Sequence, residues 1–236
     1  MQNVSEKYRK ILAGEHWFDT RVTIGDSGTL GDENGEEILF GGEAILIGEG
    51  PEVGYNENML IDVQTKTAVF QNAPSVGNCV SAEISIEMKA PIDPFKRRAK
   101  IIPYIRAANE NEVSEWIQKG VFYIDQRSLD KTAQDFRIIS IHGYDDMMKA
   151  EEFYPENSDL EWPATDIDVV REIAEFIGVP IDHRTEAIMV KGYLVPRPEE
   201  YTCREVLGHI AAAYAGNFVM SDIGELRLIP LYGLPT

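Results

Sequence analysis

The sequence predicts an α+β protein, with a β-rich region reaching to residue 150 and a smaller α/β region over residues 151–236. Two observations predict it. Val80, Ala82, Ile84, Ile86 and Met88 alternate with Ser81, Glu83, Ser85 and Glu87, the period-two pattern of a strand with one face in a core and one in water. Beyond Trp162-Pro163, by contrast, two segments carry apolar residues at helical spacing between recognisable caps.

Taken in order, residues 5–13 form a short helix with Ser5 as N-cap and Gly14 at its end. Residues 17–25 read as a strand, and 26–37, dense in Gly, Asp, Glu and Asn, as a loop. Short strands are expected at 38–40 and 44–47, on either side of Gly41-Gly42, and at 59–63 and 67–70. After the alternating run at 80–88, the stretches 100–106, 120–127 and 136–142 are rich in Ile, Val, Phe and Tyr and separated by polar loops, which predicts an antiparallel meander. Gly143-Tyr144-Asp145-Asp146 then turns the chain into a short helix that ends near Ala150.

Residues 155–164 are a polar linker closing on Trp162-Pro163, where the residue before proline avoids the α region. Thr165 caps a helix with Ile167, Val170, Ile173, Ala174 and Ile177 on one face and Gly178 as its stop. Thr202-Cys203-Arg204-Glu205 is a capping box, and Tyr201 before it can staple onto Val206. That second helix buries Val206, Leu207, Ile210, Ala211 and Tyr214, and Gly216 ends it. Residues 217–220 and 225–231 pair as a hairpin around Ser221-Asp222-Ile223-Gly224. Leu234-Pro235-Thr236 follows this strand directly, so the natural chain is expected to continue.

At 236 residues the chain can bury a sizeable core in one large domain or two small ones. No apolar run approaches the roughly 20 residues of a membrane-spanning helix, so stable membrane insertion is not expected. The first seven residues lack the basic, apolar and small-residue succession of a secretory signal, so synthesis in the cytoplasm is expected. Acidic residues number 40 against 22 basic, a net charge of -18. Sequence-specific nucleic-acid binding, which relies on Lys and Arg displacing counterions, is therefore not expected. The same charge suits a surface past which nucleic acid slides without adhering, although solubility is its simpler use.

No residue is assigned to catalysis, to a cofactor or to a metal, and no cofactor is expected. The loop 26–37 has the length of a calcium loop, Gly31 at its sixth position and Glu37 at its last, but Gly28 and Leu30 stand where oxygen ligands are required. A solvated hairpin loop is the better reading. His142, near Asp145 and Asp146, invites a general-base reading, yet no nucleophile in a G-x-S-x-G context accompanies it. Acid pairs such as Asp125 with Asp130 or Glu151 with Glu152 read as surface charge. Lys96-Arg97-Arg98 with Lys100 is a basic cluster suited to a partner's acidic surface or to guarding a strand against aggregation. Cys79 and Cys203 belong to no CxxC pair and have no His at ligand spacing, so two buried, reduced thiols are expected. A disulfide between them would need their Cα atoms within bonding range.

The segments NCVSAEISIEMKAP, RAKIIPYIRAANENEVSEWIQKGVFYIDQRS, FRIISIHGYDDMMKAEEFYP and TCREVLGHIAAAYAGNFVMSDIGELRLIPL cover most of residues 78–231. In this order they resemble the baseplate hub, or tail-associated, protein family of bacteriophage tails, prophage members included. The resemblance implies an antiparallel β-barrel of tail-tube type built from the strands before the GYDD turn, then a small α/β domain with helices at 165–177 and 202–215. In the family a second barrel follows, and the chain is expected to be truncated before it. It further implies a non-enzymatic structural protein of the virion, at the tail tip, that joins tail tube to tip and forms part of the DNA channel. The implied partners are further copies of the chain in a trimer, the distal tail protein and the tape-measure protein. On that view Trp116, Ile117, Phe122 and Tyr123 are candidate core or interface residues. Two other function classes remain open: a tail-tip cell-wall hydrolase using paired carboxylates, and a carbohydrate-binding host-attachment module with an aromatic platform from Trp17, Trp116 or Trp162.

Overall fold

The computed structural model describes residues 4–29, 39–40, 43–44, 46–71, 73–91, 95–96, 98–130 and 137–232. The chain forms two compact units, each assembled from two stretches of sequence: Met1–Gln64 with Ile84–Gly143, and Thr65–Glu83 with Tyr144–Thr236. The expected boundary at residue 150 differs from this division over residues 65–83 and 144–150.

The first unit opens with α1 (Glu6–Leu12), whose N-cap Ser5 accepts from the Tyr8 amide at 3.0 Å and which buries Ile11. Its strands are β1 (Trp17–Thr29), β2 (Leu39–Phe40), β3 (Glu43–Ala44), β4 (Leu46–Tyr55), β5 (Leu60–Lys66), β6 (Glu83–Lys89), β7 (Lys100–Ala108), β8 (Ile117–Gln118), β9 (Phe122–Asp130) and β10 (Ile138–Tyr144). Among the described residues β2 pairs only with β3. The others form one sheet in the order β4-β1-β7-β9-β10-β6-β5, with β8 added beside β7. Along β6, Ile84, Ile86 and Met88 are buried while Ser85 and Glu87 are exposed, as the alternation requires. Residues 67–70 carry no strand, contrary to expectation. Val69 and Phe70 are half-buried without a ladder, and β-propensity measures the fit to such a surface rather than the pairing itself. β1, in turn, continues through residues 26–29, which were expected to begin a loop, by way of register shifts between Gly25 and Ser27 and between Ser27 and Thr29.

The barrel of tail-tube type is corrected by this topology. β4 and β5 stand at the two ends of the strand order, and no ladder joins them among the described residues, so the sheet is open. A closed barrel requires each strand to turn alternate residues inward. β5 buries none of its seven. Yet β4 and β5 are consecutive in sequence, joined by residues 56–59 in a tight turn where Met59 and Leu60 donate to the Asn56 carbonyl at 2.9 and 2.8 Å. Even fully extended, that connection reaches at most about 18 Å. A flat sheet of seven strands would separate its edges by about 29 Å. The sheet therefore curls without closing.

The second unit follows a 3-10 helix, Asp146–Glu151, with β11 (Ala164–Thr165), α2 (Asp166–Ile177), α3 (His183–Ile188), β12 (Leu194–Val195), α4 (Cys203–Ala213), β13 (Gly216–Met220) and β14 (Leu226–Pro230). β11 pairs with β12 and β13 with β14, antiparallel in both cases. Thr165 caps α2, Gly178 ends it at φ 75°, and both halves of the capping box between Thr202 and Glu205 are formed at α4. α4 stops earlier than expected. Ala215, at φ 46°, takes the left-handed position assigned to Gly216. Gly216 instead starts β13, where a Cβ would lie 2.7 Å from the Ile229 carbonyl oxygen. Val170, Ile173 and Ile177 of α2, Leu207 and Ile210 of α4, and Phe218 and Leu226 of the hairpin share one core with Cys79 and Cys203.

α4 also carries a glycine in its interior, Gly208, against which Gly77 lies so closely that a Cβ would meet the Gly77 carbonyl oxygen at 2.8 Å. In an open helix, Gly→Ala stabilises by about 1 kcal/mol. Here the sign should reverse: Gly208→Ala is expected to destabilise the protein by about 1–3 kcal/mol in chemical denaturation, the usual cost of overpacking. A stabilised Gly208→Ala variant would show that the contact is not made.

Candidate functional site

The GYDD turn, the most distinctive motif of the sequence, is used for structure. Asp145 is 4% exposed, and its two carboxylate oxygens accept from the amides of Met147, at 3.1 Å, and Ala82, at 2.9 Å. One bond caps the 3-10 helix and the other fixes the segment that leads into β6. Arg204 of α4 donates to the Ser81 hydroxyl at 2.9 Å and to the Met147 carbonyl at 3.0 Å, and its Nε lies 3.1 Å from Glu151 Oε1. Asp146 holds Lys149 at 2.7 Å. Each oxygen of Asp145 thus serves a backbone amide. Burial above all pushes the Asp145 carboxyl up to about 7, against the pull of its two amide donors. Gly143 is required by contact: a Cβ there would stand 2.5 Å from the Tyr123 carbonyl oxygen.

In the first unit, His142 lies instead in a polar groove of about 430 Å³ that crosses β5, β6, β10 and β9. Ser85 and Glu87 of β6 and Ser140 and His142 of β10 line it from the side opposite the buried Ile84, Ile86 and Ile141. Asp62 and Gln64 close it at the sheet edge, and Arg127 is among its lining residues. Asp62 accepts from Gln64 at 2.7 Å. The groove holds acids and hydroxyls.

At the other end of the strand order, β1 and β7 carry a stacked ladder. Their register sets Arg21 opposite Tyr104 and Asp19 opposite Arg106. The Arg21 guanidinium sits 4.9 Å from the Tyr104 ring and 5.1 Å from the Trp116 ring, and Arg106 sits 4.5 Å from Trp116 while pairing with Asp19 at 2.8 Å. Of the four candidate core or interface residues, Ile117 and Phe122 are buried, while Trp116 and Tyr123 are half-buried. Sequence reading missed Arg21 because its role depends on the β1–β7 register.

In the second unit, an apolar cleft of about 420 Å³ runs between residues 193–201 and α4, with Tyr193, Tyr201 and His209 among its walls. Cys79 and Cys203 are free and buried, and burial raises their thiols to about 12 and about 11. Such thiols stay protonated and unreactive near neutrality. Trp162 packs edge-on against Tyr154, whereas Trp17 is half exposed with its indole nitrogen 3.2 Å from Asp19. Lys96 and Arg98 of the basic cluster are exposed and Lys100 is half-buried; Arg97 lies outside the described residues. So do residues 30–37 of the calcium-like loop, whose first four residues belong to β1.

No protein-family model matches the chain, and no curated protein matches it. Solved structures do. A 43 kDa tail protein of prophage MuSo2 from Shewanella oneidensis aligns over 91% of this chain with a TM-score of 0.52 at 13% identity, and a tail protein from Neisseria meningitidis MC58 over 89% with 0.51 at 11%. The chain spans 56% and 50% of those two proteins, about half the length of each. At such identity the likeness is one of fold alone.

The raised carboxyl of Asp145 has a pH signature. Its proton is held more tightly in the folded than in the unfolded state, so the stabilisation is complete below the ordinary value of 3.8 and is lost as pH rises towards about 7. Glu115, Asp182 and Glu205, held low by their hydrogen-bond donors, act only below the ordinary carboxylate range. Unfolding free energy should therefore fall between about pH 5 and 7, with a slope of at most about 1.4 kcal/mol per pH unit from this group. Asp145→Asn should flatten that slope; parallel profiles for both proteins would contradict the assignment.

Proposed function

We infer that the chain is a structural component of a phage or prophage tail and acts without catalysis. The observation that carries this reading is the fold shared with two tail proteins over about nine-tenths of the chain. The surfaces of the first unit agree with it. They comprise an open, curled sheet, a polar groove and a cation–aromatic ladder, which suit association with other protein surfaces.

The finer reading places the protein at the tail tip as a baseplate hub. Three copies assemble around the tail axis, joining the tube to the tip and contacting the distal tail and tape-measure proteins. Cyclic symmetry suits that position, because one interface repeated around an axis both closes the assembly and leaves a central passage. The net charge of -18 then serves the passage of DNA: like charge keeps a polyanion from adhering to the wall it slides past.

Antibodies raised against the chain test this in particles released from a host that carries its gene. Electron microscopy should show label at the tip of the tail. Label along the shaft would overturn the tip assignment, and tails without label would overturn the structural role itself.

A further inference from the structure

Arg21 is held in place without an anion to hold it. Its guanidinium is stacked on Tyr104 and Trp116, its Nε is buried with no hydrogen-bond partner, and it has no ion-pair partner among the described residues. Its neighbour Arg106 on the same stack already has Asp19. In a chain with 40 acidic residues against 22 basic, a rigid guanidinium left without a carboxylate is an unspent binding group. The planar fork is pre-organised by the stacking, so little side-chain freedom remains to be lost when an anion docks.

The complementary group lies at the other end of the same sheet. Asp62 on the edge strand β5 and Glu87 on β6 are exposed, line one groove, and make no ion pair among the described residues; Arg127 shares the groove with them. Arg21 and Glu87 both point away from the core, opposite Val22 and opposite Ile86 and Met88. No ion pair or hydrogen bond joins Arg21 to Asp62 or Glu87 within one copy among the described residues, and a second copy can supply either.

We propose that Arg21, with Trp116 beside it, enters the Asp62–Glu87 groove of a neighbouring copy of this chain, head to tail. Such a contact uses two different patches, and when the rotation between copies closes, it generates a ring. The proposal rests on the reading that the chain assembles with itself, and adds the surface by which it does so.

Charge reversal tests it by light scattering of the full chain over a range of concentrations, with circular dichroism confirming that each variant folds. Arg21→Glu, and separately Asp62→Lys with Glu87→Lys, should each weaken association at least about tenfold, as truncation or reversal of a desolvated charge pair does. The exposed pair Asp62 and Glu87 keeps the test informative even if Arg21→Glu unfolds. Combining all three substitutions should restore association. Unchanged association in either single-sided variant, or no recovery in the combination, would overturn the contact while leaving self-assembly standing. A wild-type chain that stays monomeric at every concentration would overturn self-assembly and the contact with it.

Discussion

A four-residue turn between two strands that end up at opposite edges of one sheet constrains the whole first unit. β4 and β5 follow each other directly in the chain, yet five strands separate them in the sheet. The turn is too short to cross a flat sheet, so the sheet must curl. Ile24, Ile84, Ile86, Ile101, Phe122 and Ile141 of its strands are buried. β5 is left as an edge with no buried residue. An edge of this kind invites pairing with other chains, and Asp62 and Lys66 put charge on it.

The second unit obeys a different constraint, that of close backbone approach and buried polar groups that must be satisfied. Gly77 and Gly208 let an extended segment lie against α4 without a side chain between them. Asp145 and Arg204 then satisfy the amides, hydroxyl and carbonyl where strand gives way to helix. Arg184 beside the fully buried Asp182 does the same at the start of α3. Asp145, a carboxylate that a catalytic reading would single out, is thus committed to backbone donors.

The legible parts of the fold were the local ones. Alternation at 80–88 marks β6 because each residue's face follows from its neighbours, and the caps at Thr165 and Thr202 announce α2 and α4 because a cap is a three-residue event. α3 was missed: Asp182 caps it, but its six residues carry too few apolar positions to show a period. Closure of the sheet was misjudged because it depends on which strands pair between stretches far apart in the chain, such as β1 with β7, and no local pattern encodes that. The groove and the Arg21 ladder were invisible for the same reason. Glu87 and Asp62, or Arg21 and Trp116, become neighbours only through register. His142 was noticed in sequence for its proximity to Asp145, whereas its side chain belongs to the groove and the carboxylate to the backbone.

The proposed structural role has its work done by the protein's surfaces in an assembly of like copies. Electron microscopy of the purified full chain, with particles averaged without imposed symmetry, tests that most directly. Ring-shaped averages with three-fold symmetry are the predicted result. Compact particles the size of a single chain, with no rotational symmetry at concentrations where the chain is fully folded, would contradict it.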